Sequence, residues 1–242
     1  MTGQITLDLL VAGIICAAGV MRGITGFGGG MLMTPPLSIL LGAVPAVVIS
    51  LCLEAVAALI MVPATYKDLP LKQFAFLIVP ACIAIPVGTQ VLIGIDAGLA
   101  RRLIGAMVVL SSIAMLSGLR YAREAPKGLS VAIGALAGLL LGATGIGAPP
   151  VILFLLSGPG PVRGTRAILT AFISTTSLIG VAALVAAGAI TLPLLIWSAL
   201  LAAVYLAAIW IGMKLFAHLS DHSTRAIALC LMLLLGIAAL VA

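Results

Sequence analysis

Eight stretches of this chain are apolar over enough residues to cross, or nearly cross, a lipid bilayer, and that property removes most folds from consideration. They cover residues 5–22, 44–64, 74–95, 103–119, 129–141, 168–187, 192–216 and 226–241. A helical span takes about 20 apolar residues to cover a hydrocarbon core roughly 30 Å thick. Of the 242 residues, 64% are hydrophobic and 7% charged, against about 45–50% and about 25% in soluble domains. A water-soluble globule of this size leaves much of its surface wet, and this chain has too few polar residues to cover it. Strands of a membrane barrel alternate apolar and polar residues over about ten positions, whereas these runs are continuously Leu, Ala, Ile and Val. The expected fold is therefore all-α: a polytopic transmembrane helical bundle of about eight spans. Residues 1–23 lack the basic n-region and small-residue cleavage pattern of a signal peptide, so they are expected to be the first retained span.

The net charge is +6, from 12 Lys and Arg against 6 Asp and Glu. The basic residues stand singly or in pairs between apolar runs, where they act as topological signals and lipid contacts. With no basic tail, nucleic acid is not an expected partner. The basic residues divide seven against five between alternate connections, which sets no orientation. Cys16, Cys52, Cys82 and Cys230 lie within apolar segments without CxxC spacing. They are expected as small buried hydrophobes.

The apolar pattern breaks at two related places. Gly23-Ile24-Thr25-Gly26-Phe27-Gly28 and Gly142-Ala143-Thr144-Gly145-Ile146-Gly147 share the pattern G-x-T-G-x-G, 119 positions apart (23 to 142). Each is followed by a proline pair, Pro35-Pro36 and Pro149-Pro150, and by a short apolar stretch, 31–41 and 151–156. These stretches are too short to span and are expected as half-helices or re-entrant pieces. Further matches follow in the same order: Leu69-Pro70 with Leu192-Pro193, Gly88 with Gly212, Arg101 with Arg225. The chain therefore reads as two related halves, residues 1–122 and 128–242, with glycine-proline-broken helices. They join at the polar connection holding Arg120, Arg123, Glu124, Pro126 and Lys127. Such internal repeats with interrupted helices point to the binding site of a secondary transporter. Tyr66-Lys67-Asp68-Leu69-Pro70 reads as a turn before a helix start, and Asp96 and the segment 220–223 as N-cap regions.

Glycine at this density costs a helix roughly 1 kcal/mol per residue, and is expected to open the backbone. Open backbone at membrane depth persists where it is buried in protein or lines a wet cavity. Freed N–H groups of Gly26, Gly28, Gly29, Gly145 and Gly147, the Thr25 and Thr144 hydroxyls, and the positive end of each following half-helix could cradle an anion. Close helix packing is the other use for such glycines. Neither segment carries the Lys-Ser/Thr of a phosphate loop or sits in a βαβ unit, so nucleotide binding is not expected. Glu54 is a carboxylate deep in an apolar run, where ionisable groups are costly and usually functional; it is the candidate for proton coupling. The equivalent region of the other half is Ser174-Thr175-Thr176-Ser177, making Ser174 and Thr175 candidate substrate contacts. Arg22 beside the first break, and Arg166 with Arg163, suit oxyanion recognition through the guanidinium fork, or else anchor helix ends at the interface. His218 and His222 flank Asp221 beside Lys214, a poor setting for a metal. No hydrolase motif is present, no cofactor is expected, and an enzyme is not the expected reading.

Residues 26–30 with Pro35 and Pro36, and 144–150 running into 151–156, resemble the TauE/SafE family of bacterial membrane proteins. The Tyr66–Pro70 turn, Gly88 and Arg101 fit the resemblance, which covers essentially the whole chain. It implies a multi-pass permease of the bacterial inner membrane that exports small anions such as sulfite, sulfoacetate and related sulfonates. The chain departs from the family pattern in Ala148, where a glycine is common, and in Glu54, where an uncharged residue is expected. The combined expectation is a secondary transporter exporting a small oxyanion, with the anion and the bilayer as partners and a homodimer as a candidate assembly. A channel using the same loops, or a non-transporting scaffold, are the alternatives.

Overall fold

A computed structural model describes residues 2–65, 69–116, 126–157, 162–216 and 233–241. All the regular structure among them is helical: α1 Thr2–Thr25, α2 Gly29–Leu41, α3 Ala43–Thr65, α4 Leu71–Gly94, α5 Ala97–Leu116, α6 Lys127–Thr144, α7 Ala148–Ser157, α8 Val162–Ala186 and α9 Leu192–Phe216. A last helix, α10, covers residues 233–241. Among the described residues, six helices are long and apolar enough to cross a membrane: α1, α4, α5, α6, α8 and α9. Large apolar side chains on them point outward, among them Leu9 at 69%, Ile83 at 70% and Leu200 at 67% exposure. An aqueous fold would bury these, and lipid solvates them. The chain is a multi-pass membrane protein.

The helix ends follow local chemistry. Asp96 caps α5 as expected, its Oδ2 accepting from the Gly98 N–H at 2.8 Å and the Leu99 N–H at 3.4 Å. Pro70 stands immediately before α4. The turn at 66–68, the connection at 117–125, and residues 217–232 with His218, His222 and Arg225 lie outside the described residues. Helix α2 has 13 residues and α7 has 10, about 20 Å and about 15 Å of helix, so neither crosses the bilayer alone. Both match the short pieces expected after the breaks.

The glycine segments open over a narrower stretch than their composition suggests. Gly23 remains inside α1 and Gly142 inside α6, while Gly29 and Gly30 already belong to α2. Packing explains the difference. Helix α1 lies along α9, and α6 along α4. A Cβ added to Gly19 would lie 2.6 Å from the Ala208 Cβ, and one added to Gly138 would lie 2.6 Å from the Ala81 Cα. Without a hydrophobic drive between helices in lipid, close backbone approach and dispersion hold them together. The matched positions meet crosswise, Gly23 against Gly212 and Gly142 against Gly88. The first helix after each expected half boundary thus packs on the fourth helix of the other. Helices α3 and α8 pack against each other within this frame. Every residue of α3 from 46 to 55 is buried, Glu54 among them.

Candidate functional site

Each break opens on a glycine in the left-handed region, Gly26 with φ 77° and Gly145 with φ 73°. The Gly26 N–H donates to the Arg22 carbonyl at 2.8 Å and the Gly145 N–H to the Leu141 carbonyl at 2.7 Å. Both are glycine terminators that a side chain would strain. The threonine before each glycine closes the turn. The Thr25 hydroxyl donates to the Met21 carbonyl at 2.8 Å, lies close to the Phe27 carbonyl, and accepts from the Phe27 N–H at 3.3 Å. The Thr144 hydroxyl donates to the Leu140 carbonyl at 2.7 Å and accepts from the Ile146 N–H at 3.2 Å. One hydroxyl carries one proton, so these threonines shape the loops with the groups that were expected to face an anion. The two breaks differ at their third glycine: Gly28 is also left-handed, φ 89°, and caps α2, while Gly147 keeps an ordinary φ and packs against Leu141.

The breaks meet at a shared cavity. A Cβ on Gly30 would lie 3.5 Å from the Gly145 carbonyl oxygen. The cavity is a small, partly open recess with a water-accessible volume of about 30 Å³. Gly28 and Gly30 line it from one break, Gly145 and Gly147 from the other, and Thr176 and Ser177 from α8. Arg22 and Glu54 supply its charge. Arg22 is 1% exposed, and its Nη2 lies 3.2 Å from Glu54 Oε2. Glu54 Oε1 accepts from the Tyr205 hydroxyl at 2.8 Å and from the Gly30 N–H at 3.1 Å. Gly29 is required beside this network, since a Cβ there would lie 2.6 Å from Glu54 Oε1.

The guanidinium is not saturated. Arg22 Nε and Nη2 are buried without a hydrogen-bond partner among the described residues, and the same holds for Glu54 Oε2. The 3.2 Å approach of Nη2 to Oε2 is therefore an ion pair without a directed hydrogen bond. Burying opposite charges carries a desolvation cost that only good geometry and further hydrogen bonds offset. A buried guanidinium with unused donors on a cavity wall is equipped to take an oxyanion.

Of the candidates named from the sequence, the structure brings Arg22, Gly28, Gly145, Gly147 and Glu54 to the cavity wall. Thr25, Gly26, Gly29 and Thr144 stand behind it as the parts that set the loops. On α8 the wall is formed by Thr176 and Ser177. Ser174 is buried off the wall, with its hydroxyl unpartnered among the described residues, and Thr175 is half-buried. The side chains of Arg163 and Arg166 lie outside the described residues. Two participants were not anticipated, Gly30 and Tyr205. A phenol in the middle of the apolar run of α9 was the available signal for the second, because a buried tyrosine hydroxyl needs a partner.

A family model described as sulfite exporter TauE/SafE matches residues 10–239, nearly the whole chain. No curated protein and no solved structure matches.

Proposed function

The chain belongs to the sulfite exporter TauE/SafE family, and from that premise we propose that it is a secondary transporter exporting a small oxyanion, sulfite or an organosulfonate such as sulfoacetate, across the bacterial inner membrane. The observation that carries this reading is the buried Arg22 guanidinium, with donors unused, in a cavity to which both glycine breaks contribute. Its lining favours a small ligand with a negatively charged oxygen cluster. The guanidinium offers a charged fork and the N-terminus of α2 brings the Gly30 amide to the same place, while the Thr176 and Ser177 hydroxyls on the facing helix donate to the Phe172 and Ile173 carbonyls and give the wall its polarity. The glycines keep side chains out of the way, so a compact anion can approach the backbone.

In this reading residues 1–122 and 128–242 are two related units, and transport is a rocking of one against the other about the cavity. The crosswise packing of α1 on α9 and α4 on α6 supports it, because each unit then clasps its partner through smooth glycine faces. Glu54 is the group through which the cargo is coupled to a proton. The test is a flux screen in reconstituted vesicles with sulfite, sulfate, thiosulfate and two-carbon sulfonates, with and without a pH gradient. Saturable flux of one of these anions, concentrated by the gradient and lost in Arg22→Gln, is expected. Flux no greater than in empty vesicles for the whole set overturns the proposal, and flux that never exceeds equilibrium makes the protein a channel.

A further inference from the structure

Glu54 already occupies the position a cargo anion needs. Its two oxygens are held by a guanidinium, a phenol and an amide at the N-terminus of α2. That is the donor set proteins use for oxyanions, and here the oxyanion is the chain's own carboxylate. Arg22 Nε, which takes no part in that ion pair, remains buried without a hydrogen-bond partner among the described residues, so Glu54 does not exhaust the guanidinium.

Charge conservation at a buried site decides what must happen when a second anion arrives. With Arg22 positive and Glu54 negative the cavity wall is neutral. Adding a monoanion alone leaves one uncompensated negative charge, and uncompensated buried charge is heavily penalised. Adding the anion together with one proton keeps the sum at zero. We propose that Glu54 is a tethered counter-anion which a monovalent oxyanion displaces from Arg22, one proton moving onto Glu54 for each anion admitted. This rests on reading the cavity as the transport site. The proton comes from the water phase facing the cavity and forms an O–H bond at Oε2. The ion pair to Arg22 breaks and an oxygen of the anion takes its place. The neutral carboxyl keeps its Tyr205 and Gly30 hydrogen bonds through Oε1. When the anion leaves, the proton leaves and the ion pair re-forms.

No other charged group lining the cavity competes for this role among the described residues. Helix α2 faces Glu54 with the Gly30 amide, α8 brings the Thr176 and Ser177 hydroxyls, and α9 brings the Tyr205 phenol. Tyr205 is then a positioning residue that ties the counter-anion on α3 to a helix of the other half.

The experiment is calorimetric titration of the purified full chain with methanesulfonate, a monoanion throughout, from about pH 5 to about pH 8 in buffers of different ionisation enthalpy. The wild type is expected to take up one proton per anion, with Kd rising about tenfold per pH unit at the upper end of the range. Glu54→Gln is expected to bind with a pH-independent Kd, without proton uptake, and at least about tenfold more tightly than wild type at pH 8. Tyr205→Phe, which loosens the ionised carboxylate, is expected to bind more tightly than wild type at pH 8. Zero proton uptake in the wild type, or weaker binding by Glu54→Gln at pH 8, overturns the inference while leaving oxyanion transport standing. No methanesulfonate binding at any pH overturns the inference, and no flux of any anion in the vesicle screen overturns the transport reading as well. If Glu54→Gln is not recovered folded, the wild-type proton count alone decides.

Discussion

Gly23 of α1 and Gly212 of α9 meet so closely that a Cβ added to Gly23 would lie 2.9 Å from the Gly212 Cα. Gly142 of α6 stands in the same relation to α4, its added Cβ 2.9 Å from the Gly88 carbonyl carbon and 2.6 Å from the Thr89 nitrogen. The clashing atoms are backbone, which does not rotate away as a side chain does. Gly23→Ala and Gly142→Ala are each expected to lower stability by about 1–3 kcal/mol. Gly13→Ala, with nothing within 4 Å of the new methyl, is expected to be neutral or stabilising. Thermal unfolding of the purified protein in detergent checks all three.

At the breaks the constraint is conformational. The left-handed Gly145 has room for a methyl, its nearest neighbour a Val47 carbon at 3.4 Å, so any loss on substitution belongs to the backbone. Gly145→Ala is expected to cost about 1–2 kcal/mol, and Gly145→Asn less, because asparagine tolerates this conformation better. Gly26→Ala should match Gly145→Ala. Equal effects of Ala and Asn in a melting comparison would contradict this account.

The threonine hydroxyls hold the loops, which separates their effect on stability from their effect on cargo. Thr25→Ser and Thr144→Ser keep the hydrogen bonds and should leave stability and flux near wild type. Thr25→Val and Thr144→Val remove them, with an expected loss of about 0.5–1.5 kcal/mol each. Initial flux rates against cargo concentration should then show a lower maximal rate per protein with little change in half-saturation. A large rise in half-saturation with unchanged melting would instead make the hydroxyls direct ligands.

The helices were legible because continuous apolar runs leave a membrane chain few options. The breaks were legible because glycine and proline mark them. The pairing of the helices was not, since nothing local to Gly23 says that Gly212, far along the chain, is its neighbour. The same limit applies at the site. Arg22 and Glu54 were each conspicuous as charges in apolar surroundings, but their contact comes from tertiary packing, in which α1 and α3 both lie against α2 and α9. Tyr205, 151 positions from Glu54, was hidden in a run that reads as lipid-facing. On α8 the polar patch was visible, yet which of its four residues face the cavity depends on helix phase. A helix turns about 100° per residue, so an approximate repeat offset placed Ser174 and Thr175 where Thr176 and Ser177 stand.

Arg22 and Glu54 are coupled strongly enough that the single variants should mislead and the pair should inform. Arg22→Gln leaves the Glu54 carboxylate buried with only the Tyr205 and Gly30 donors, and breaking a buried pair from one side costs about 3–5 kcal/mol. Glu54→Gln leaves the guanidinium without its counter-charge and should lose a comparable amount, recovered when a sulfonate is added because the ligand replaces the missing charge. The double variant removes both charges and should regain much of the stability, giving a favourable interaction term in a double-mutant cycle that exceeds the loss of either single variant, more than about 3–5 kcal/mol. It should not regain anion binding, since the fork is gone. Arg22→Lys tests the fork itself: charge is kept, planar donors are lost, and the expected outcome is near-normal melting with weakened anion affinity. Denaturant unfolding of the wild type and the four variants, each with and without methanesulfonate, measures these quantities. A double variant no more stable than the worse single one would show that the two residues do not act as a pair.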